Sequence, residues 1–314
     1  MVATLEKRSF PVGRLVLLAS ERSAGKRLRF RGEDVEVLPV GPGSFDGVEI
    51  ALFSAGGAPS LQWAPVAARA GAVVIDNSSA WRMHAEVPLV VPEVNMRDAA
   101  SRPLGIIANP NCSTIQMVVA LKPLHDAAHI EHIVVSTYQS VSGKGHAAVE
   151  DLWAQTRALV SGQPVEPRVM PGQIAMNLLC DWKPGAQEYS EEEWKMVHET
   201  RKILGDSNIG VSPTTVRVPV PCGHAEAIFV RFRRPMKRDE ALALLRNAPG
   251  VVLMEEPYAP GKHPQPAMAA GTDPVYVGRV RDDLAVAGAL NLWVVADNLL
   301  KGAALNAVQI AEKL

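Results

Sequence analysis

Five short runs near the start of the chain are apolar or β-branched almost throughout: RLVLLAS (14–20), DGVEIALFSAGG (46–57), AGAVVIDNSSA (70–80), VPLVVPEV (87–94) and LGIIANP (104–110). A strand with one face in water alternates apolar and polar residues; these runs do not, so both of their faces must be covered. Between the second and third, PSLQWAPVAARA (59–70) spaces its apolar residues as a helix does. Buried strands linked by helical crossovers make a parallel sheet with helices on both sides. The expected class is α/β, opening with a Rossmann-like, doubly wound domain. At 314 residues and 47% hydrophobic composition the chain can fill a second core as well.

Patterning changes in the middle third. A long helix is expected over 113–128, a strand over HIVVSTYQSVSG (132–143) and a helix over 147–160, followed by an irregular, Pro- and Gly-rich stretch to 190. SEEEWKMVHETRKILG (190–205) has an N-cap serine, an acidic first turn and basic residues near its end, the punctuation of a helix. Strands over 214–220 and 225–234, a helix over 238–247 and a Pro-rich excursion over 255–274 complete an α+β pattern. In the closing stretch Trp293, Ala296, Leu300, Ala303, Ala307, Ile310 and Leu314 recur at steps of three or four, which predicts a helical core stripe. MVATLEKRSFP reads as the second half of a helix running into the first strand, where a doubly wound fold usually has a strand and a glycine-rich turn. The expected domains are 1–112 together with 293–314, and 113–292.

Charge narrows the partners. The 32 Lys and Arg nearly cancel the 33 Asp and Glu, so no basic face for nucleic acid is expected. No apolar run reaches the roughly 18–20 residues of a membrane helix, and the charged opening does not resemble a signal peptide. Three cysteines form no paired framework, which points to a reducing, cytoplasmic setting. No metal is expected.

Cys112 is the most informative residue. It follows Asn-Pro-Asn, a turn-forming tripeptide, and opens a long apolar helix. Free N–H groups and the macrodipole at a helix N-terminus favour a thiolate, although a thiol among apolar residues is as readily a packing group. Cys180 and Cys222 lack that setting and read as structural. A reactive thiol needs a proton-transfer partner, and His224, after a Pro-Cys-Gly turn, is the best placed of eight histidines. Arg217 sits in mid-strand between Val216 and Val218, where an inward guanidinium needs a carboxylate or phosphate. After the first strand, Arg22 and Ser23 offer a seat for the extra 2′-phosphate of NADP, or simply a solvated basic loop.

Taken together, LLASERSAGK, LFSAGG, VIDNSSAWRM, GIIANPNCSTIQMVVALKPLHDAA, VVSTYQSVSG, MVHETRKILG, VRVPV followed by GHAEA, and LNLWVVADNLLKGAALNAVQIAE resemble the bacterial aspartate-β-semialdehyde dehydrogenase family over nearly the whole chain. The resemblance implies an NADP-dependent, phosphorylating aldehyde dehydrogenase with an NADP domain and a catalytic and dimerisation domain. It implies that Cys112 is a nucleophile carrying a thioester, His224 the acid–base and Gln139 a group positioning thiol and substrate. Arg217 would clamp the α-carboxylate, Glu192 would face the amino group, and Arg82, Lys195 and Asn111 would form a phosphate pocket. NADPH would contact Arg22, Ser23, Ser142, Gly143 and Asn298, and the enzyme would be a homodimer.

Two departures stand out. The family's G-x-T-G-x-V-G turn and its strand have no counterpart in residues 1–20, so weak pyrophosphate binding and a sheet lacking its central strand are expected. Lys144, Gly145 and His146 replace small residues near the nicotinamide turn. Three other readings compete: an N-acetyl-γ-glutamyl-phosphate reductase, which shares the thiol, acyl phosphate and hydride; a Cys/His hydrolase needing no nucleotide; and a truncated, silent relative.

Overall fold

The computed structural model describes residues 1–180, 183–255 and 259–314. Contacts divide the chain into two compact units, Met1–Pro110 with Ala304–Leu314, and Asn111–Ala303.

The first unit is α/β. Strands β1 (Leu17–Ala19), β2 (Arg27–Phe30) and β3 (Glu33–Pro39) form one three-stranded sheet in the order β1-β3-β2; β4 (Ile50–Phe53), β5 (Val73–Asp76) and β6 (Ile106–Ala108) form another. The second sheet is wholly parallel, with Phe53, Asp76 and Ala108 in register at its C-terminal end, and helix α2 (Gly57–Arg69) makes the β4-to-β5 crossover. Gly56 caps that helix at φ 92°, which lets the chain reverse sharply out of β4. Ahead of β1 lies α1 (Val2–Lys7), as expected. The β2–β3 hairpin turns on Arg31 and Gly32, both at positive φ. Its charged, exposed residues hid it in the sequence.

VPLVVPEV is not the expected strand. Pro88 and Pro92 have no N–H to give a ladder; Leu89 makes a single bridge to Ala108, and Pro92 opens the short helix α3 (Pro92–Asn95).

The second unit is a six-stranded mixed sheet with helices. Its order is β10 (Val251–Met254), β11 (Val275–Asp282), β12 (Leu290–Ala296), β9 (His224–Phe232), β7 (Ile130–Gln139) and β8 (Gly210–Arg217). Helix α4 (Cys112–Ala128) is buried along nearly its whole length, which is why its sequence shows little amphipathic contrast. The other helices are α5 (His146–Val160), α6 (Glu191–Leu204), α7 (Arg238–Arg246) and α8 (Pro266–Ala269). At the start of α6, Ser190 Oγ accepts from Glu193 N at 3.1 Å and Glu193 Oε2 accepts from Ser190 N at 2.8 Å, a closed capping box. Gly205 ends that helix at φ 68°.

The closing stripe divides in two. Trp293 and Ala296 belong to β12, which pairs antiparallel with β9 and β11. Only after a π-helical turn at Leu300–Ala304 does α9 (Leu305–Ala311) form. The segment NLWVVA is rich in β-branched and aromatic residues, and pairing overrides a chance helical spacing. The return to the first unit therefore falls at Ala304, where 293 was expected. Strands β10 and β11 were also not foreseen. Residues 256–258 of the Pro-rich excursion, and 181–182 of the irregular stretch, lie outside the described residues. Among the described residues no helix is long and apolar enough to cross a membrane, and no group of three His, Cys, Asp or Glu side chains could hold a metal.

Candidate active site

In the second unit, β7 and β8 run parallel and end together, with Gln139 opposite Arg217. β9 begins beside them at His224, and Ala296 of β12 pairs with His224. Helix α4 packs on this face with its first residue, Cys112, at the same end. The chemistry-bearing side chains are thus set by register at one rim of the sheet.

Asn111 fixes the start of α4. Its Oδ1 accepts from the backbone N–H of Ser113 at 3.0 Å and of Thr114 at 3.4 Å, the work of an N-cap. Its Nδ2 donates to Glu192 Oε1 at 2.8 Å, and its backbone N–H donates to Glu199 Oε2 at 2.6 Å. Glu192 and Glu199 lie seven residues apart on α6, so one helix face grips both the side chain and the backbone of the cap. Lys195 Nζ donates to Glu192 Oε2 at 2.9 Å. Burial pushes the Glu192 carboxyl up, but Lys195, the Asn111 amide and Arg217 outweigh it and hold the group below its ordinary value.

Cys112 Sγ lies 3.2 Å from His224 Nε2. The ring is fully buried, and its Nδ1 accepts from the backbone N–H of Ser140 at 3.1 Å. Ser140 Oγ also lies 3.1 Å from Nδ1 and donates to Asn298 Oδ1 at 2.9 Å. Burial, and then the nearby Arg217 cation, push His224 down to about 3. Arg217 is itself buried and donates from Nη1 to Ser140 O at 2.6 Å. Burial lowers its pKa, while Cys112 and Glu192 act in the opposite direction. Gln139 Nε2 donates to Ser113 Oγ at 2.8 Å, one residue beyond the thiol.

Two glycines lie close to this centre. A Cβ on Gly302 would sit 2.7 Å from Cys112 Cβ, and one on Gly143 would sit 3.1 Å from Arg217 Nη1 and 3.6 Å from His224 Nε2. Ser142 Oγ and Asn298 Nδ2 are hydrogen-bonded at 3.0 Å. Cys222, by contrast, has its thiol pushed up to about 11 by burial and by Asp297, which makes it a poor nucleophile. Cys180 is exposed.

The second unit therefore gathers Cys112, His224, Gln139, Arg217, Glu192, Lys195, Asn111, Ser142, Gly143 and Asn298. Arg82, Arg22 and Ser23 lie in the first. There Arg82 donates from Nε to Asn109 O at 2.9 Å and from Nη2 to Asn77 O at 3.2 Å, and Arg22 is exposed on the turn Glu21–Ser23 that leaves β1. Ser140 and Glu199 escaped the sequence reading. Ser140 adjoins Gln139, and Glu199 follows Glu192 at a same-face helical spacing, so only the spacing of Glu199 was a usable signal.

A thiol against a buried neutral imidazole, with a buried arginine and carboxylate beside them, can form and release an acyl group on sulfur. The class is defined further by family: the semialdehyde dehydrogenase NAD binding domain matches residues 1–102, and the semialdehyde dehydrogenase dimerisation domain matches residues 121–301. Aspartate-semialdehyde dehydrogenase of Aquifex aeolicus is 54% identical over 99% of this chain and 92% of its own length. The crystal structure of aspartate semialdehyde dehydrogenase II from Vibrio cholerae complexed with ASA has a TM-score of 0.94 at 50% identity, covering 99% of this chain and 92% of that one. Aspartate semialdehyde dehydrogenase with NADP from Candida albicans has a TM-score of 0.74 at 25% identity, covering 95% and 89%. The chain belongs to the aspartate-semialdehyde dehydrogenase family.

Proposed function

We propose that this protein reduces L-aspartyl-4-phosphate to L-aspartate-4-semialdehyde with NADPH, releasing phosphate, in the route to lysine, threonine, methionine and diaminopimelate. The observation that carries the reading is the 3.2 Å approach of Cys112 Sγ to His224 Nε2 at the head of α4. Because Nδ1 accepts from Ser140 N–H, the ring's single proton sits on Nε2 and points at the sulfur.

Each side chain then has a task. Arg217 clamps the substrate α-carboxylate, and Glu192, held ionised, receives the α-ammonium. This acid-and-base pair favours a free amino acid over an N-acetylated one, which argues against the acetylglutamyl-phosphate reductase reading. Lys195 and Asn111, beside Glu192 in the second unit, face the departing phosphate. Gln139, tied to Ser113, steadies the thiol's helix turn.

The cofactor fits what is present. In the second unit, Gly143, Ser142 and Asn298 would hold the nicotinamide end; in the first, Arg22 and Ser23 would hold a 2′-phosphate. When bound, NADPH supplies hydride to the acyl carbon. The rest is done by the chain. Cys112 sulfur attacks the β-carbonyl carbon, the C–S bond forms, the C–OP bond breaks, and phosphate leaves carrying the thiol proton. His224 Nε2–H donates to the oxyanion formed on reduction, and the ring takes that proton back as the C–S bond breaks and aldehyde departs. The positive end of the α4 dipole at Cys112 favours the same charge.

A homodimer built through the second unit is proposed on the dimerisation-domain match, with exposed Trp153, Met176 and Leu178 in that unit as apolar surface to cover. A cytoplasmic setting suits a thiol that must stay reduced. The test of the reaction is reversal: oxidation of aspartate semialdehyde by NADP should require inorganic phosphate. Equal turnover without phosphate, or its substitutes, would exclude the acyl-phosphate chemistry.

A further inference from the structure

Beneath the thiol–imidazole pair lies a second polar pair that the proposed reaction does not use. Glu226 and Gln116 are 0% and 1% exposed, and neither the carboxyl oxygens nor the amide atoms close a hydrogen bond with the described residues. Thr137, directly opposite Glu226 across β7 and β9, is buried and its hydroxyl is likewise unpaired.

Their placement repeats the site one step deeper. His224 and Glu226 are two residues apart on β9 and share a face; Cys112 and Gln116 are four apart on α4 and share a face. The same two elements thus meet at 112 with 224 and again at 116 with 226. Gln116 bears on the Glu226 carboxyl and acts to lower it, but burial is the larger effect and drives that carboxyl well above its ordinary value. A neutral carboxyl offers one O–H donor and one C=O acceptor; a carboxamide offers the complement.

We propose that Glu226 pairs with Gln116 by hydrogen bonding and acts as a positioning residue, tying the first turns of α4 to β9 so that Cys112 is held at the His224 ring. The role rests on the reading of Cys112 and His224 as the reacting pair; the pair itself does not. Ser140 sets the ring from the side of Nδ1, and Glu226 with Gln116 sets the separation of the two elements that carry thiol and ring.

Infrared difference spectra of the full chain test the pair without reference to catalysis. A protonated-carboxyl C=O band should vanish in Glu226→Gln and shift in Gln116→Leu. Kinetics then test the role. Glu226→Leu should lower kcat by about 10- to 100-fold with KM within about twofold, the size expected for a small misplacement of reacting groups. Glu226→Gln, whose amide can also pair with Gln116, should stay within about threefold of wild type. No protonated band, a band indifferent to Gln116→Leu, or full kcat in Glu226→Leu overturns the proposal. If Glu226→Leu does not fold, the band shift in Gln116→Leu and its kcat decide. An inactive role for Cys112 would leave the band in place, so the two failures are distinguishable.

Discussion

Ser140 donates its backbone N–H to Nδ1 of His224 at 3.1 Å, and that bond decides which nitrogen carries the ring's proton. With Nδ1 accepting, Nε2–H faces Cys112 Sγ at 3.2 Å. The ring is therefore set up to give a proton to an anion formed at the thiol's position, and it needs no prior protonation from solvent.

His224→Ala should accordingly lower kcat by about 100- to 10,000-fold, the usual worth of a placed acid–base group, with KM changed only a few-fold. Steady-state kinetics in the phosphate-dependent direction read both. A change mainly in KM would assign the ring to binding.

The pH dependence of stability has a definite sign. His224 is held neutral down to about 3, whereas in an unfolded chain it protonates near 6.5. The unfolded state therefore binds the extra proton between those values. The stability from the neutral ring is complete above about pH 6.5 and lost as pH falls toward 3, at about 1.4 kcal/mol per pH unit. Glu192, also lowered, adds to the loss below its ordinary 4.5, while Glu226, raised, runs the other way. Urea unfolding of wild type and His224→Asn from pH 7 to 4 isolates the term: the wild type should show the steeper acid loss. Parallel curves would mean the ring titrates normally.

Gly302 leaves no room for a side chain beside the thiol. Gly302→Ala places a methyl 2.7 Å from Cys112 Cβ, which should cost about 1–3 kcal/mol of stability and slow alkylation of Cys112 by iodoacetamide. Unchanged alkylation and stability together would show that the turn at Leu300–Ala304 yields freely.

Asn111 joins a cap to a substrate-side carboxylate. Asn111→Ala should destabilise the protein by about 1 kcal/mol through the lost cap, and should raise KM because Glu192 loses a partner. Asn111→Ser should recover most of the stability and little of the KM, since serine caps a helix but cannot reach Glu192. Recovery of both by serine would show that the Glu192 contact is idle.

Much of this fold is legible before any coordinates. Val73–Asp76 and Ile106–Ala108 are apolar on both faces because both faces are covered, and Ser190 with Glu193 announces a helix start. The misread segments turn on strand pairing, refused in one and made in the other. VPLVVPEV looks like a strand until its prolines remove the donors, and Trp293 with Ala296 fits a helical stripe until β9 and β11 claim them. At the site, Cys112 and His224 are visible because turn residues bracket them. Glu199 shows only in its same-face spacing from Glu192, and Ser140 does not show, since it serves only once Nδ1 arrives beside it. Glu226 is hidden for the same reason: a glutamate in HAEAIFV reads as a solvated alternation, and only its register against Thr137 and Val294 shows it buried.

The central claim is that Cys112 sulfur carries the acyl group. Rapid acid quench of the enzyme with aspartyl phosphate, in the absence of NADPH, followed by peptide mass mapping, tests it most directly. An aspartyl thioester on the peptide containing Cys112, absent in Cys112→Ser, is the predicted result. An adduct on Cys180 or Cys222, or turnover of Cys112→Ser near the wild-type rate with no adduct on any cysteine, would contradict it.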